Sequence, residues 1–131
     1  MSWDVLLLRL PEGITSMEDM GSDTTPPPLG PRPGVLASLR RAAPVVDLSD
    51  PSWGELGGPG WSMELNMGSD EPVGMIMLHI RGGGDDVLPV AFRIAAELDC
   101  RVFDCSAGEL ISAGDTSGWQ AFQQYRDRVV E

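Results

Sequence analysis

Trp61-Ser-Met-Glu-Leu-Asn-Met67 is followed, after Gly68-Ser-Asp-Glu-Pro72, by Val73-Gly-Met-Ile-Met-Leu-His-Ile-Arg81. The first run alternates strictly between apolar and polar side chains, the period of a strand with one buried face. The second is strand-like, rich in Ile, Leu and Met. A turn at 69–72 joins the two into an antiparallel hairpin. In that register Met63 faces Leu78, Leu65 faces Ile76 and Trp61 faces Ile80. The same register sets Glu64 against Met77, Asn66 against Met75 and Ser62 against His79. One face is wholly apolar and the other mixed, so both parities agree in one pairing.

The neighbouring segments extend this hairpin into a sheet. Residues 3–10 are apolar on both alternating faces apart from Asp4 and Arg9, as a central strand requires. Pro11 and Gly13 close it. Residues 11–33 hold six Pro and read as a long loop, with one capped turn at 15–19 and an extended Pro26-Pro27-Pro28. A first helix spans 34–43, with Pro33 at its first position and Val35, Leu36, Leu39 and Ala43 on one face. Arg40 and Arg41 complement its C-terminal dipole, and Pro44 stops it. Residues 44–60 read as a second long Pro/Gly loop.

Beyond the hairpin, Gly82-Gly83-Gly84 breaks the strand and Asp86 is placed as a helix N-cap. Val87, Ala91, Ile94, Ala95 and Leu98 form the buried stripe of a second helix. A short strand follows at 101–105, and Gly108 and Gly114 mark turns on either side of Glu109-Leu-Ile111. Ser117-x-x-Gln120 has the form of a capping box. It opens a last helix carrying Trp119, Phe122 and Val129 at helical spacing.

The order β-α-β-β-α-β plus one helix predicts an α+β fold. Specifically, it predicts a ferredoxin-like antiparallel sheet with an additional C-terminal helix, as a single domain over 1–131. Strands one and three should be central, with both crossover helices on one face. The opposite face should carry Glu64, Asn66, Met75, Met77, His79 and Arg81. The first strand adds either Trp3, Val5, Leu7 and Arg9, or Asp4, Leu6, Leu8 and Leu10. Either set is too apolar for bare solvent. The C-terminal helix, through Trp119 and Phe122, is expected to cover it, with a second copy of the chain as the alternative.

Twenty acidic residues against nine basic ones, every base an Arg, leave a formal charge of −11. Such a chain is a poor ligand for nucleic acid, whose affinity comes from Lys and Arg on phosphates, and for an anionic membrane surface. Residues 1–60 carry eight of the acids and 61–131 carry twelve, so the charge is spread and not confined to a tail. Asp4 stands where a signal peptide needs bases, and the run Val5 to Leu8 is too short for a membrane span; a cytoplasmic location is expected. Cys100 and Cys105 would lie ~16 Å apart in an extended strand, far beyond disulfide reach, and are expected as free thiols.

His79 is the one His in the chain, and with Arg81, Glu64 and Asn66 it forms a polar cluster. A His can act as general base and an Arg can clamp an anion. The plainer reading is a hydrogen-bonded sheet-face residue. Neither the Cys spacing nor a single His fits a metal centre, and no cofactor motif is present: the glycine run at 82–84 lacks the dinucleotide or Walker pattern, and Asp85 and Asp86 would repel a phosphate. Asp104 beside Cys105 disfavours its thiolate. Trp53, beside Gly54 in the second loop, is a candidate binding aromatic.

Met1-Ser-Trp-Asp4, Pro-Pro-Pro-Leu-Gly30, Ser49-Asp-Pro-Ser-Trp-Gly54, Gly58-Pro-Gly-Trp-Ser62, Glu64-Leu-Asn66, Leu78-His-Ile-Arg-Gly-Gly83 and Asp104-Cys-Ser-Ala-Gly-Glu109 together resemble a family of small uncharacterised bacterial proteins. The resemblance implies a bacterial origin and maps the family's polar motif residues onto Glu64, Asn66, His79 and Arg81. It implies no activity.

These readings favour a non-enzymatic acidic module that binds a basic protein, in the manner of an immunity or inhibitor protein. The candidate binding residues are Glu64, Asn66, His79, Arg81 and Trp53. The alternative is an enzyme or small-ligand binder using the open face around His79 and Arg81. Pairing of two copies through that face is a third use of it.

Overall fold

The alternating hairpin sits inside a six-stranded antiparallel sheet, which three helices cover on one face in an α+β arrangement. The computed structural model describes residues 2–11, 13–14, 16, 18 and 25–130. Its elements are β1 (Trp3–Leu8), α1 (Arg32–Ala42), β2 (Trp53–Gly58), β3 (Trp61–Asn66), β4 (Ile76–Gly82), α2 (Val87–Glu97), β5 (Arg101–Asp104), β6 (Glu109–Ile111) and α3 (Ser117–Val130). The strands lie in the order β2-β3-β4-β1-β5-β6. Thr15, Met17 and Asp19 of the expected turn, and the Val129 side chain, fall outside the described residues.

This element order differs from β-α-β-β-α-β. Three consecutive strands, not two, separate α1 from α2, and two follow α2. The extra strand β2 lies in the segment read as a loop at 44–60. Trp-Gly-Glu-Leu-Gly-Gly is a poor strand former by composition. Pairing supplies what propensity lacks: Trp53 to Gly58 pair with Asn66 to Trp61, and Asp47 bridges Glu55 on the far side. Pro59-Gly60 makes the connection, with Gly60 at φ +80°, the residue types of a type II turn.

The β3–β4 register is displaced by two residues from the one expected. Met63 pairs with Ile80, Glu64 with His79, Leu65 with Leu78 and Asn66 with Met77. The connection is longer because Val73 is drawn away to Gly30: Leu29 N–H donates to Val73 O at 2.8 Å and Val73 N–H to Gly30 O at 2.9 Å. A slip of two preserves the side-chain parity, so each residue keeps its expected face.

β1 lies inside the sheet between β4 and β5. Trp3, Val5 and Leu7 face the helices, in rows with Ile80, Leu78 and Ile76. Asp4 and Leu6 face the other way. α1 begins two residues earlier than expected, at Arg32, and buries Val35, Leu39 and Ala42. α2 buries the expected stripe, with Pro89 in its first turn, where no intrahelical N–H partner is lost. Asp86 stands at the N-cap, but its backbone is helical and its side chain makes no capping bond.

The position of α3 overturns the expectation that it covers the open face. Trp119 is fully buried against Trp3, ring centroids 5.3 Å apart, on the same side as α1 and α2. The glycine run 82–84 receives it: Trp119 Nε1–H donates to Gly84 O at 3.0 Å and the Gln123 amide to Gly82 O at 2.9 Å. The expected capping box does not form. Ser117 Oγ–H donates instead to Asp115, and the Gln120 amide donates to Thr116 Oγ1.

Candidate functional site: a polar cluster on the open sheet face

All three helices pack on one side, so among the described residues no helix covers the other face of the sheet, although Leu8 on that face is buried. Directly paired residues share a face. One row therefore runs Glu55, Glu64, His79, Asp4 across β2, β3, β4 and β1. The adjacent row runs Trp53, Asn66, Met77, Leu6, Phe103, Leu110 from one edge of the sheet to the other.

Two sets of bonds hold the polar groups on this face, one joining His79 to Asp4 and one joining Glu64 to Trp53 and Arg81. His79 Nδ1 lies 2.8 Å from Asp4 Oδ1, which also accepts from Ser2 Oγ–H at 2.6 Å. A carboxylate can only accept, so Nδ1 carries the proton and Nε2 faces outward from that bond. Trp53 stacks on the imidazole, centroids 5.8 Å apart and planes 19° from parallel. Its Nε1–H donates to Glu64 Oε2 at 3.1 Å. Glu64 Oε1 accepts from the Arg81 guanidinium.

Of the sequence candidates, the fold thus brings together Trp53, Glu64, His79 and Arg81. Asn66 is on the same face but turns away: its Oδ1 accepts from Gly68 N–H at 3.1 Å and serves the β3–β4 connection. Asp4 is the member that sequence reasoning left unassigned. The signal for it was the choice between two β1 faces, which only the pairing of Asp4 with His79 resolves. Among the described residues no three His, Cys, Asp or Glu side chains converge as metal ligands.

Both cysteines are free. Burial pushes the Cys100 thiol up to about 12, with Asp99 adding to the rise and Arg9 opposing it. Cys105, exposed on the open face 3.9 Å from Met77 Sδ, is also raised, first by desolvation of its sulfur and then by the Asp4 and Asp104 carboxylates. Neither is a ready nucleophile at neutral pH.

No protein-family model, no curated protein and no solved structure matches this chain. No helix among the described residues is long and apolar enough to cross a membrane.

Proposed function

We propose that this protein is a non-enzymatic acidic module that holds a basic protein partner against its open sheet face, as an immunity or inhibitor protein does. The observation that supports this most is the sheet face that no helix among the described residues covers. Leu6, Met77, Phe103 and Leu110 form a half-buried apolar row, flanked by the Asp4–His79 pair and by Glu64 with its donors Trp53 and Arg81, the two sets meeting where Trp53 stacks on His79. Such a surface is preorganised: its polar side chains are already held in place, so association costs little further ordering. The charge of −11 adds attraction toward a basic surface and speeds encounter.

The test is capture from native lysate with mass spectrometry, at low and high salt, using wild type and the double variant Trp53→Ala, Phe103→Asp. The expected result is a basic protein retained at low salt, weakened at high salt and lost with the double variant. A partner indifferent to both salt and the double variant counts against the reading.

A second reading rests on the Asp4–His79 pair. A carboxylate that fixes the imidazole tautomer leaves Nε2 available as a base, with Arg81 near enough to Glu64 to bond it and to meet an anion. A cleft beside this pair is lined by Glu55, Ser62 and Glu64. His79→Ala in an activity screen separates the readings: a lost turnover establishes the second, and unchanged behaviour apart from stability removes it.

We also propose that the middle of the sheet is a ferredoxin-like unit. Setting aside β2, β6 and α3 leaves β1-α1-β3-β4-α2-β5 with sheet order β3-β4-β1-β5. This supports a ferredoxin-like unit elaborated at both sheet edges and by one helix.

A further inference from the structure

β2 is the outermost strand at one end of the sheet, with β3 on one side of it. Its other side meets one short bridge: Asp47 N–H donates to Glu55 O at 2.8 Å and Glu55 N–H to Asp47 O at 3.0 Å. A strand between antiparallel neighbours aims its N–H and C=O groups alternately at the two. Because Glu55 aims both at Asp47, Gly57, two residues on, also aims both away from β3. Continued, the bridge would set Val45 opposite Gly57. It stops instead where Val46 N–H donates to Ala43 O at 3.0 Å and the chain turns out of the end of α1. Among the described residues no further bridge covers this edge.

The gap so left is part of a cleft of about 560 Å3, lined by Val45, Asp47, Glu55, Leu56, Gly57 and Glu64 among others. At ~3.3 Å of rise, ~4.8 Å of strand spacing and ~10 Å of thickness per residue, it has room for about three residues of a strand. Gly57 is exposed, and a Cβ built on it would meet nothing within 4 Å. A bare edge of this kind is a template for a further strand.

Charge selects which strand. Glu64 is matched by Arg81, but Asp47 and Glu55 are exposed and form no ion pair among the described residues. A second copy of the chain, at −11, is repelled from them. A residue opposite Gly57 shares its face of the sheet and has Glu55 as its diagonal neighbour, so a basic side chain fits there. The residues flanking it point to the other face, where Leu56 lies. Val45, 79 % exposed, stands on the rim as a further apolar contact.

We infer that the β2 edge takes up an extended segment of the basic protein partner, antiparallel as the Asp47 bridge is, with Arg or Lys alternating with apolar residues. A basic residue lies opposite Gly57: its N–H donates to Gly57 O and its C=O accepts from Gly57 N–H. The main-chain bonds hold the segment and the alternating side chains select it. This rests on the reading of the partner as a basic protein and adds where its chain docks.

The test is titration of the full chain with the peptide acetyl-Val-Arg-Val-Arg-Val-amide, following the backbone amide resonances of β2 by NMR. The expected result is a saturable shift, largest at Gly57, with Kd of about 1 mM or tighter and weakened by salt. The same peptide N-methylated at both Arg keeps its charge but cannot donate to Gly57 O, and should bind about tenfold more weakly. Gly57→Pro removes the outward N–H without touching the β2–β3 ladder, and should weaken the peptide about tenfold or more. Should that variant fail to fold, Glu55→Arg serves: its side chain is exposed, and reversing the charge should weaken binding by a similar factor in a folded protein. No saturable shift at Gly57 up to about 10 mM peptide overturns the inference. So does N-methylated peptide binding as well as the parent, or a folded Gly57→Pro or Glu55→Arg binding as well as wild type. Capture from lysate separates this from the reading it rests on. A basic partner lost with Trp53→Ala, Phe103→Asp but fully held by Gly57→Pro overturns the edge alone. Peptide binding at Gly57 with no basic protein captured supports the edge and removes the other reading.

Discussion

Three Asp-x-Ser sequences repeat one device. Oδ1 of Asp47, Asp50 and Asp115 accepts from both the N–H and the Oγ–H of the Ser two residues on. These turns start the chain into β2 and α3, satisfying backbone donors that neither element can use. The bonds favour the charged carboxylate, so the Ser49, Ser52 and Ser117 donors hold each pKa below its ordinary 3.8. A depressed folded-state value means the contribution is present above pH 3.8 and is lost as pH falls through the lowered values. Carboxyl titration by NMR should show midpoints below 3.8 at all three, restored toward 3.8 in Ser49→Ala, Ser52→Ala and Ser117→Ala. Midpoints at or above 3.8 in the wild type would contradict the device. At the same scale, Cys105 should react with a thiol reagent at pH 8 well before Cys100, which should stay closed until the chain unfolds. Equal rates in the native protein would refute that order.

Among the elements, α3 has the largest consequence for its length. It fills the end of the core with Trp119, stacks Phe122 on it at 5.6 Å and bonds the backbone of the 82–84 turn. Its first turn lies directly on Asp104. Removing the buried indole in Trp119→Ala should cost about 3–5 kcal/mol in urea unfolding, through the cavity left against Trp3. Gly118→Ala should cost about 1–3 kcal/mol, because the added methyl has only the Asp104 carboxylate to displace. Truncation before Ser117 should expose Trp3 and lower solubility. A truncated chain with unchanged stability would show that α3 is an appendage and not part of the core.

For the whole molecule, charge decides which associations are favoured. Two copies at −11 repel, and a basic partner attracts. Salt screens both, with opposite outcomes. Light scattering of the pure protein should therefore show no growth of a dimer at low ionic strength, and any self-association through the open face should strengthen as salt is added. A complex with a basic partner should weaken under the same change. A dimer that is tightest at low salt would instead place complementary charge within the face itself.

The hairpin alternation, the central position of residues 3–8, the α2 stripe and the acidic surface were legible in the sequence, because each depends on local periodicity or simple composition. So were the faces of Glu64, His79 and Arg81, since a two-residue slip leaves parity untouched. Other features depended on partners distant in the chain. β2 exists because β3 pairs with its glycine-rich backbone, and the β3–β4 register moved because Val73 found Gly30. Asp4 joined His79 only once β1 settled against β4. Most of all, the helix-side location of Trp119 and the unmatched atoms of Asp104 and Trp3 came from tertiary packing. Periodicity says that a side chain is buried; which surface buries it, and which polar atoms are left without a partner, is decided by long-range contacts that no local pattern encodes.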